Sequence, residues 1–304
     1  MPAPDLARNR AARHWLLLAS TKAGTAEHEA VETVRQRLAD AGEVELRTNQ
    51  EPAELERALD ALDGRTLVVA GGDGSLHLAV ARLYSRGELK ATTIALVPLG
   101  TGNDFARTAG VPLEPAAAAE LVVTGTARPV DLLVDDAGEV VVNAAHVGVG
   151  AEAAGYAAGL KSRLGPLAYP LGAVRAGLSA PGWRVRVELD GRVVADADQR
   201  SLMIGIGNGR TIGGGTALLP DAEPDDGRLD VVVSQATGPL ARVRYGCTLL
   251  AGHHLSGPAV RAGRGTSVTI SGEPMPLNVD GELGEPVARR TWTIEPAAWS
   301  LVRP

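Results

Sequence analysis

The run Leu67-Val68-Val69-Ala70-Gly71-Gly72-Asp73-Gly74-Ser75 sets the reading of this chain. Four consecutive apolar residues suit a parallel strand buried on both faces. The glycines that follow let a backbone approach an anion with no Cβ in the way. Helix-forming residues come next, so the amides and the positive dipole end of a helix start lie beside them. Ser75 can cap that helix or donate to a phosphate. Asp73 would repel a bare phosphate and makes sense beside a cation or a hydroxyl. Taken alone, the motif reads equally well as a tight strand-to-helix turn with Asp73 as its cap.

Working outward, the next strand-like run repeats the pattern. Ile94-Ala95-Leu96-Val97 leads into Pro98-Leu99-Gly100-Thr101-Gly102-Asn103-Asp104-Phe105-Ala106-Arg107. Thr101 and Asn103 offer neutral hydrogen bonds, and Asp104 can cap a following helix. Both glycine loops then stand at carboxyl ends of parallel strands, where open α/β sheets bind ligands. Upstream, Trp15 to Ala19 reads as a first strand. Val31, Val34, Leu38 and Ala41 follow at helical spacing, with Gly42 as a stop. Val44 and Leu46 alternate with charge, as in a strand. Pro52 can open a helix whose face is Leu55, Ala58, Leu59 and Leu62. Strand-helix alternation over residues 1–128 predicts a parallel α/β domain.

After about Arg128 the texture changes. Val130 to Val134 and Val140 to Val142 read as strands around Asp135-Asp136-Ala137-Gly138. Arg184 to Leu189 alternates, turns at Asp190-Gly191 and resumes at Arg192, which predicts a hairpin. Short strands follow at 202–206, 229–233, 268–270 and 277–279, with one helix near Leu240–Leu250. Cys247 lies in the apolar pattern of that helix, which predicts a buried structural thiol. Residues 129–304 thus read as a β-rich antiparallel domain, with its C-terminal end returning to the first domain.

Composition bounds the function. The 304 residues are 45% hydrophobic and 22% charged, enough for a folded core and unlike a disordered chain. A net charge of -6 argues against broad binding to nucleic acid. One cysteine allows no intrachain disulfide and makes a cytoplasmic address natural. No run approaches the ~18 apolar residues of a membrane span, so dealings with lipid are expected at the inner membrane surface. The segment 156–177 mixes Leu160, Leu164 and Tyr169 with Lys161 and Arg163 and is the expected contact. The six histidines show no zinc-ligand pattern.

Together, the two glycine loops resemble the diacylglycerol kinase catalytic-domain family, which includes bacterial lipid kinases and sphingosine kinases. The resemblance continues through Asn143-Ala144-Ala145-His146-Val147-Gly148-Val149-Gly150-Ala151-Glu152, Gly207-Asn208, Gly213-Gly214-Gly215, the turn from Pro220 to Asp230, and Val279-Asp280-Gly281-Glu282. These motifs occur in family order from about residue 15 to 300. The resemblance implies an NAD kinase/diacylglycerol kinase-like fold, an α/β nucleotide-binding domain followed by an antiparallel, sandwich-like β domain. It implies ATP phosphates on Gly71, Gly72, Asp73, Gly74, Ser75 and Thr101, with Asn103 and Thr48 also lining the nucleotide. It implies Glu282 as the general base that takes the proton of a lipid hydroxyl. It implies Mg²⁺ on the Asp226 side chain with the backbone carbonyls of Glu223 and Arg228, and a second Mg²⁺ travelling with ATP.

The chain also departs from that family. An Asn-Pro-x-Ser-Gly-like loop is usual after the first strand, and here the place reads Ser20-Thr21-Lys22-Ala23-Gly24. Ser20, Lys22 and Gly24 can still hold phosphate or adenosine. Ser75 replaces a commoner threonine, and Glu152 stands where aspartate is usual. The expected activity is an ATP-dependent lipid kinase of the diacylglycerol type. Two other readings stay open: an NAD kinase-like enzyme, which shares the Gly-Gly-Asp-Gly loop, and a binding protein without turnover. The acceptor and the oligomeric state are not encoded in any motif.

Overall fold

The computed structural model describes residues 14–19, 25–48, 52–148 and 182–304. They form two compact units. The first holds the chain up to Gly100, Gly110–Arg128 and Trp299–Pro304; the second holds Thr101–Ala109 and Pro129–Ala298.

The first unit alternates strand and helix: β1 (His14–Ala19), α1 (Thr25–Ala39), β2 (Glu43–Thr48), α2 (Pro52–Asp60), β3 (Thr66–Gly71), α3 (Asp73–Ser85) and β4 (Thr93–Pro98). Next come α4 (Asp104–Ala109), which belongs to the second unit, and α5 (Pro115–Thr124). The strands lie in the order β2-β1-β3-β4, each pair parallel. The apolar runs become the sheet because they have no polar face to show water: Leu16, Leu17, Leu67, Val68, Ile94 and Ala95 are fully buried. Each buried leucine contributes about 1.5–3 kcal/mol relative to exposure. The alanine-rich Ala116–Ala119 lies in α5, whose start is capped by the Glu114 carboxylate, accepting from the amides of Ala116 at 3.0 Å and Ala117 at 2.6 Å.

The second unit is built from β5 (Thr126–Asp135), which enters it at Pro129, β6 (Val140–Val141), β7 (Ala144–Gly148), β8 (Trp183–Leu189), β9 (Arg192–Ala195), β10 (Arg200–Ser201), β11 (Met203–Gly207), β12 (Thr211–Ile212) and β13 (Thr216–Ala217). It continues with β14 (Leu229–Ser234), α6 (Pro239–Leu250), β15 (Val260–Gly265), β16 (Ser267–Val279) and β17 (Glu282–Arg303). The pairs β15-β14-β11-β7-β16-β17 run side by side, antiparallel throughout. β8 pairs with β16, β9 and β10. Its core includes Val187, Ile204, Val231, Ile270, Met275 and Trp292. The α/β and antiparallel β textures therefore form as the pattern predicts. The Asp190-Gly191 hairpin forms with both residues left-handed, at φ 48° and 75°.

Two expectations need correction. The short strands at 268–270 and 277–279 are parts of one 13-residue strand, paired with a 22-residue β17. Register shifts between Ser271 and Met275 and between Met275 and Leu277 break the alternation, so no clean period of two marks its length. Cys247 is exposed, not buried. Helix α6 buries only Tyr245 among its twelve residues, and Cys247 lies on the face turned to solvent.

Candidate active site

In the first unit, the strand register lines up the predicted nucleotide residues. Ala19 pairs with Thr48 on one side and Ala70 on the other, and Ala70 pairs with Val97. Thr48, Ala19, Ala70 and Val97 thus form one row at the carboxyl edge of the sheet, at about 4.8 Å per strand. Immediately beyond this row come Gly71–Ser75 and Pro98–Gly100. The Leu99 amide donates to the Gly71 carbonyl at 3.0 Å and ties the two exits together. The predicted loop of Ser20, Lys22 and Gly24 leaves the same row at Ala19 and lies outside the described residues.

Between β3 and α3 the connection is a single residue. Gly72 is the N-cap, extended at φ -92°, and Asp73, Gly74 and Ser75 already form the first turn of α3. The N-cap residue is a glycine and brings no side-chain cap of its own, and Asp73 and Ser75 lie inside the first turn. The glycines have different reasons. A Cβ on Gly71 would stand 2.5 Å from Ser75 Oγ, so close strand-helix packing requires it. A Cβ on Gly74 would meet nothing within 4 Å. The fold does not need Gly74 bare; a group approaching the helix start would.

In the second unit, the remaining predicted residues are connected by hydrogen bonds. Asn103 is left-handed at φ 53° and buried, while Thr101 is exposed. The Asp104 carboxylate accepts from the amides of Gly214 at 2.9 Å and Gly215 at 2.8 Å, and from Thr211 Oγ1 at 2.8 Å. Asn143 Nδ2 donates to the Thr211 carbonyl at 2.9 Å. The Asp280 carboxylate accepts from the amides of Val142, Asn143 and Ala144 at 2.7–2.9 Å. Asp280 and Gly281, at φ 48° and 95°, form the two-residue hairpin that pairs Val279 with Glu282. A continuous path from Asp104 through Thr211 and Asn143 to Asp280 therefore joins the Thr101–Asn103 loop to the Glu282 turn. Glu282 itself is exposed.

The sequence reading assigned Asp280 no role and gave Asp104 only that of a cap. An Asp-Gly pair between two apolar runs was the signal available for the Asp280 hairpin. Nothing local pointed Asp104 at Thr211, 107 residues on.

The predicted metal turn is built differently from a simple oxygen cage. Asp226 Oδ1 accepts from the Arg228 amide at 3.0 Å, and Oδ2 is paired with Arg264. Arg264 also reaches Asp230 at 3.3 Å. Burial pushes the Asp230 carboxyl up to about 6, against the opposing pull of Arg264. No group of three or more His, Cys, Asp or Glu side chains suited to a metal occurs among the described residues. A carboxylate and two carbonyls suit Mg²⁺, which keeps several waters. They fit it here only in exchange for the guanidinium of Arg264.

Family models match both regions of the chain. Residues 14–134 match the diacylglycerol kinase catalytic domain, and residues 143–303 match the YegS C-terminal NAD kinase beta sandwich-like domain. A protein of Xanthomonas oryzae pv. oryzae named probable lipid kinase YegS-like is 36% identical over 286 residues, covering 88% of this chain and 89% of its own. One of the same name from Stenotrophomonas maltophilia is 37% identical over 269 residues, covering 83% and 84%. A diacylglycerol kinase structure from Bacillus anthracis superposes with a TM-score of 0.70 at 20% identity, covering 96% of this chain and 97% of that one. A second chain from that organism reaches 0.79 at 24% identity, covering 96% and 95%. These structures share the fold.

Proposed function

We infer that this chain, which belongs to the diacylglycerol kinase catalytic-domain family and is a lipid kinase, transfers the γ-phosphoryl group of Mg-ATP to a hydroxyl of a lipid or lipid-like alcohol of the diacylglycerol type. The observation that carries this reading is the hydrogen-bonded path from Asp104 to Asp280. It makes one piece of the loop assigned to the nucleotide and the turn assigned to the base. Such transfer depends mainly on positioning and charge stabilisation.

In this mechanism Thr48, Gly71, Gly72, Asp73, Gly74, Ser75, Thr101 and Asn103 hold the nucleotide, with Ser20, Lys22 and Gly24 completing the site. First-turn amides of a helix have no intrahelical acceptor and suit phosphate oxygens. Glu282 takes the acceptor proton as the hydroxyl oxygen bonds to the γ-phosphorus. The bond from that phosphorus to the bridging oxygen breaks, and ADP leaves. Because Glu282 is exposed, the acceptor itself must supply the desolvation that makes a carboxylate a better base. Asp226, with the carbonyls of Glu223 and Arg228, is the proposed holder of a Mg²⁺ apart from the one on ATP, and Arg264 must release it first.

The acceptor lies in a bilayer, and no helix among the described residues is long and apolar enough to cross one. A lipid acceptor of this kind would be met at the membrane surface. The segment 156–177, expected from sequence to touch lipid, lies outside the described residues.

The test is a transfer assay with ATP labelled at the γ-phosphate, a panel of diacylglycerol, sphingoid base, phosphatidylglycerol and NAD, and mass detection of product. A phosphorylated diacylglycerol with matching ADP release is expected. Bound ATP with no ADP release on any acceptor would make the chain a binder, and labelled NAD would make it an NAD kinase.

A further inference from the structure

Within the second unit, a row of four aligned residues lies behind the turn that carries Glu282. The strand registers align Gly205 on β11, His146 on β7, Asn278 on β16 and Leu283 on β17. Directly opposed residues on antiparallel strands point to one face, with Cβ atoms about 5 Å apart. Gly205 brings no side chain, and a Cβ there would stand 2.6 Å from Leu218 Cδ2, so leucine fills that place. Leu283, at the other end, is apolar. Along this row Asn278 and His146 are each other's polar side-chain neighbour.

Asn278 is fully buried and His146 nearly so, at 0% and 4% exposure. Asn278 Oδ1 accepts from the Gly281 amide at 3.0 Å. That amide can only donate, so the atom facing it must be the oxygen, and Nδ2 takes the other side of the group. Among the described residues, Asn278 Nδ2 and His146 Nδ1 are both buried with no hydrogen-bond partner. A buried donor left unpaired is costly, and such a pair of orphans calls for an explanation. The two are complementary. Nδ2 can only donate. Burial pushes the imidazole down to about 4 and keeps it neutral, and a neutral ring has one bare nitrogen to accept with. The two atoms are not in direct contact, so one water between them satisfies both.

The turn itself is held from the interior. The Asp280 amide donates to the Ala144 carbonyl at 3.0 Å, and the Gly281 amide to Asn278. Glu282 is the next residue. A flipped Asn278 amide would set Nδ2 against the Gly281 N–H and lose both bonds.

We propose that Asn278 and His146 are a positioning pair for Glu282. His146, as the Nε2–H tautomer, accepts through one buried water from Asn278 Nδ2. That bond fixes the amide so that Oδ1 holds Gly281 and sets the direction in which Glu282 leaves the turn. Both residues act through the backbone of Gly281. Their part in catalysis rests on the reading of Glu282 as the base; the anchoring of the turn does not.

The test reads the tautomer, the turn and turnover separately. Nitrogen-15 NMR of the full chain, with the His146 signals assigned by their loss in His146→Gln, shows a neutral ring protonated at Nε2 at neutral pH. Asn278→Asp keeps an acceptor for Gly281 but turns an oxygen toward Nδ1. The ring proton then moves to Nδ1, and kcat stays within about threefold of the parent. Asn278→Leu has a similar volume and no polar atom. Its Gly281 amide exchanges hydrogen at least roughly tenfold faster, and kcat falls by roughly ten- to a hundredfold with KM for ATP unchanged. If Asn278→Leu does not fold, the parent tautomer and Asn278→Asp decide. A parent ring protonated at Nδ1, or equal Gly281 exchange in parent and Asn278→Leu, overturns the pair. Unchanged kcat in Asn278→Leu despite faster Gly281 exchange overturns its part in catalysis. A parent without turnover on any acceptor, but with tautomer and exchange as expected, overturns the kinase reading and upholds the pair as the anchor of the turn.

Discussion

Asp280 Oδ1 lies 2.9 Å from the amide nitrogen of Asn143, and the same carboxylate also takes the amides on either side of it. Three backbone donors on one carboxylate fix the direction in which the Asp280-Gly281 hairpin leaves β16, and with it the start of β17 at Glu282. The geometry separates two roles that adjacent acids in one turn would otherwise share. Asp280→Asn is expected to destabilise the protein by about 1–3 kcal/mol, since an amide cannot accept from all three donors, and to lower kcat through Glu282. Glu282→Gln is expected to leave thermal stability unchanged, because the side chain is exposed, and to lower kcat by ~10²–10⁴ with ATP affinity retained. Near-normal turnover in Glu282→Gln would remove it as the base.

The glycines of the first loop are distinguishable in the same way. Gly71→Ala puts a methyl group into Ser75 and is expected to cost about 1–3 kcal/mol of stability. Gly74→Ala enters open space in the first turn of α3, so stability stays level or rises by up to about 1 kcal/mol. Its nucleotide affinity should nonetheless fall at least roughly tenfold. Calorimetry of ATP binding beside thermal melts checks both, and unchanged affinity in Gly74→Ala would leave the loop a turn only.

Competition between Arg264 and Mg²⁺ gives a third expectation. In the absence of nucleotide, Mg²⁺ should raise Tm modestly in the parent, more in Arg264→Ala, and not at all in Asp226→Ala, because a ligand stabilises the state it binds by mass action. Equal shifts in all three proteins would take Asp226 out of any metal site.

His146, on β7 between Gly205 and Asn278, is pushed down to about 4 by burial, with Asp280 pulling weakly the other way. The folded chain then binds fewer protons than the unfolded chain between about pH 6.5 and 4. Stability from this group is complete above 6.5 and is lost as pH falls through that window, by about 3 kcal/mol. His146→Gln should flatten this slope in denaturant melts taken across the window. An identical slope in parent and variant would assign the acid sensitivity to other groups.

What the sequence determined by itself is the local grammar. Leu67–Ala70 and Ile94–Val97 have no polar face, so they suit strands covered on both sides. The Asp190-Gly191 turn follows from the left-handed conformation that those residues accept. Motif order carried the family for the same reason, since each motif is a short stretch read in place. Tertiary structure alone decided which residues meet. Asp104 turns to Thr211 and Gly214, and Asp280 turns to Asn143. Hydrogen bonds across more than 100 residues leave no period in the chain. Tertiary structure also decided what covers a face. The apolar period of α6 is legible from Leu240 to Leu250, yet period tells only that a face is apolar, not that protein rests against it. In this fold Tyr245 takes the buried side, and Leu240, Cys247 and Leu250 are left to solvent.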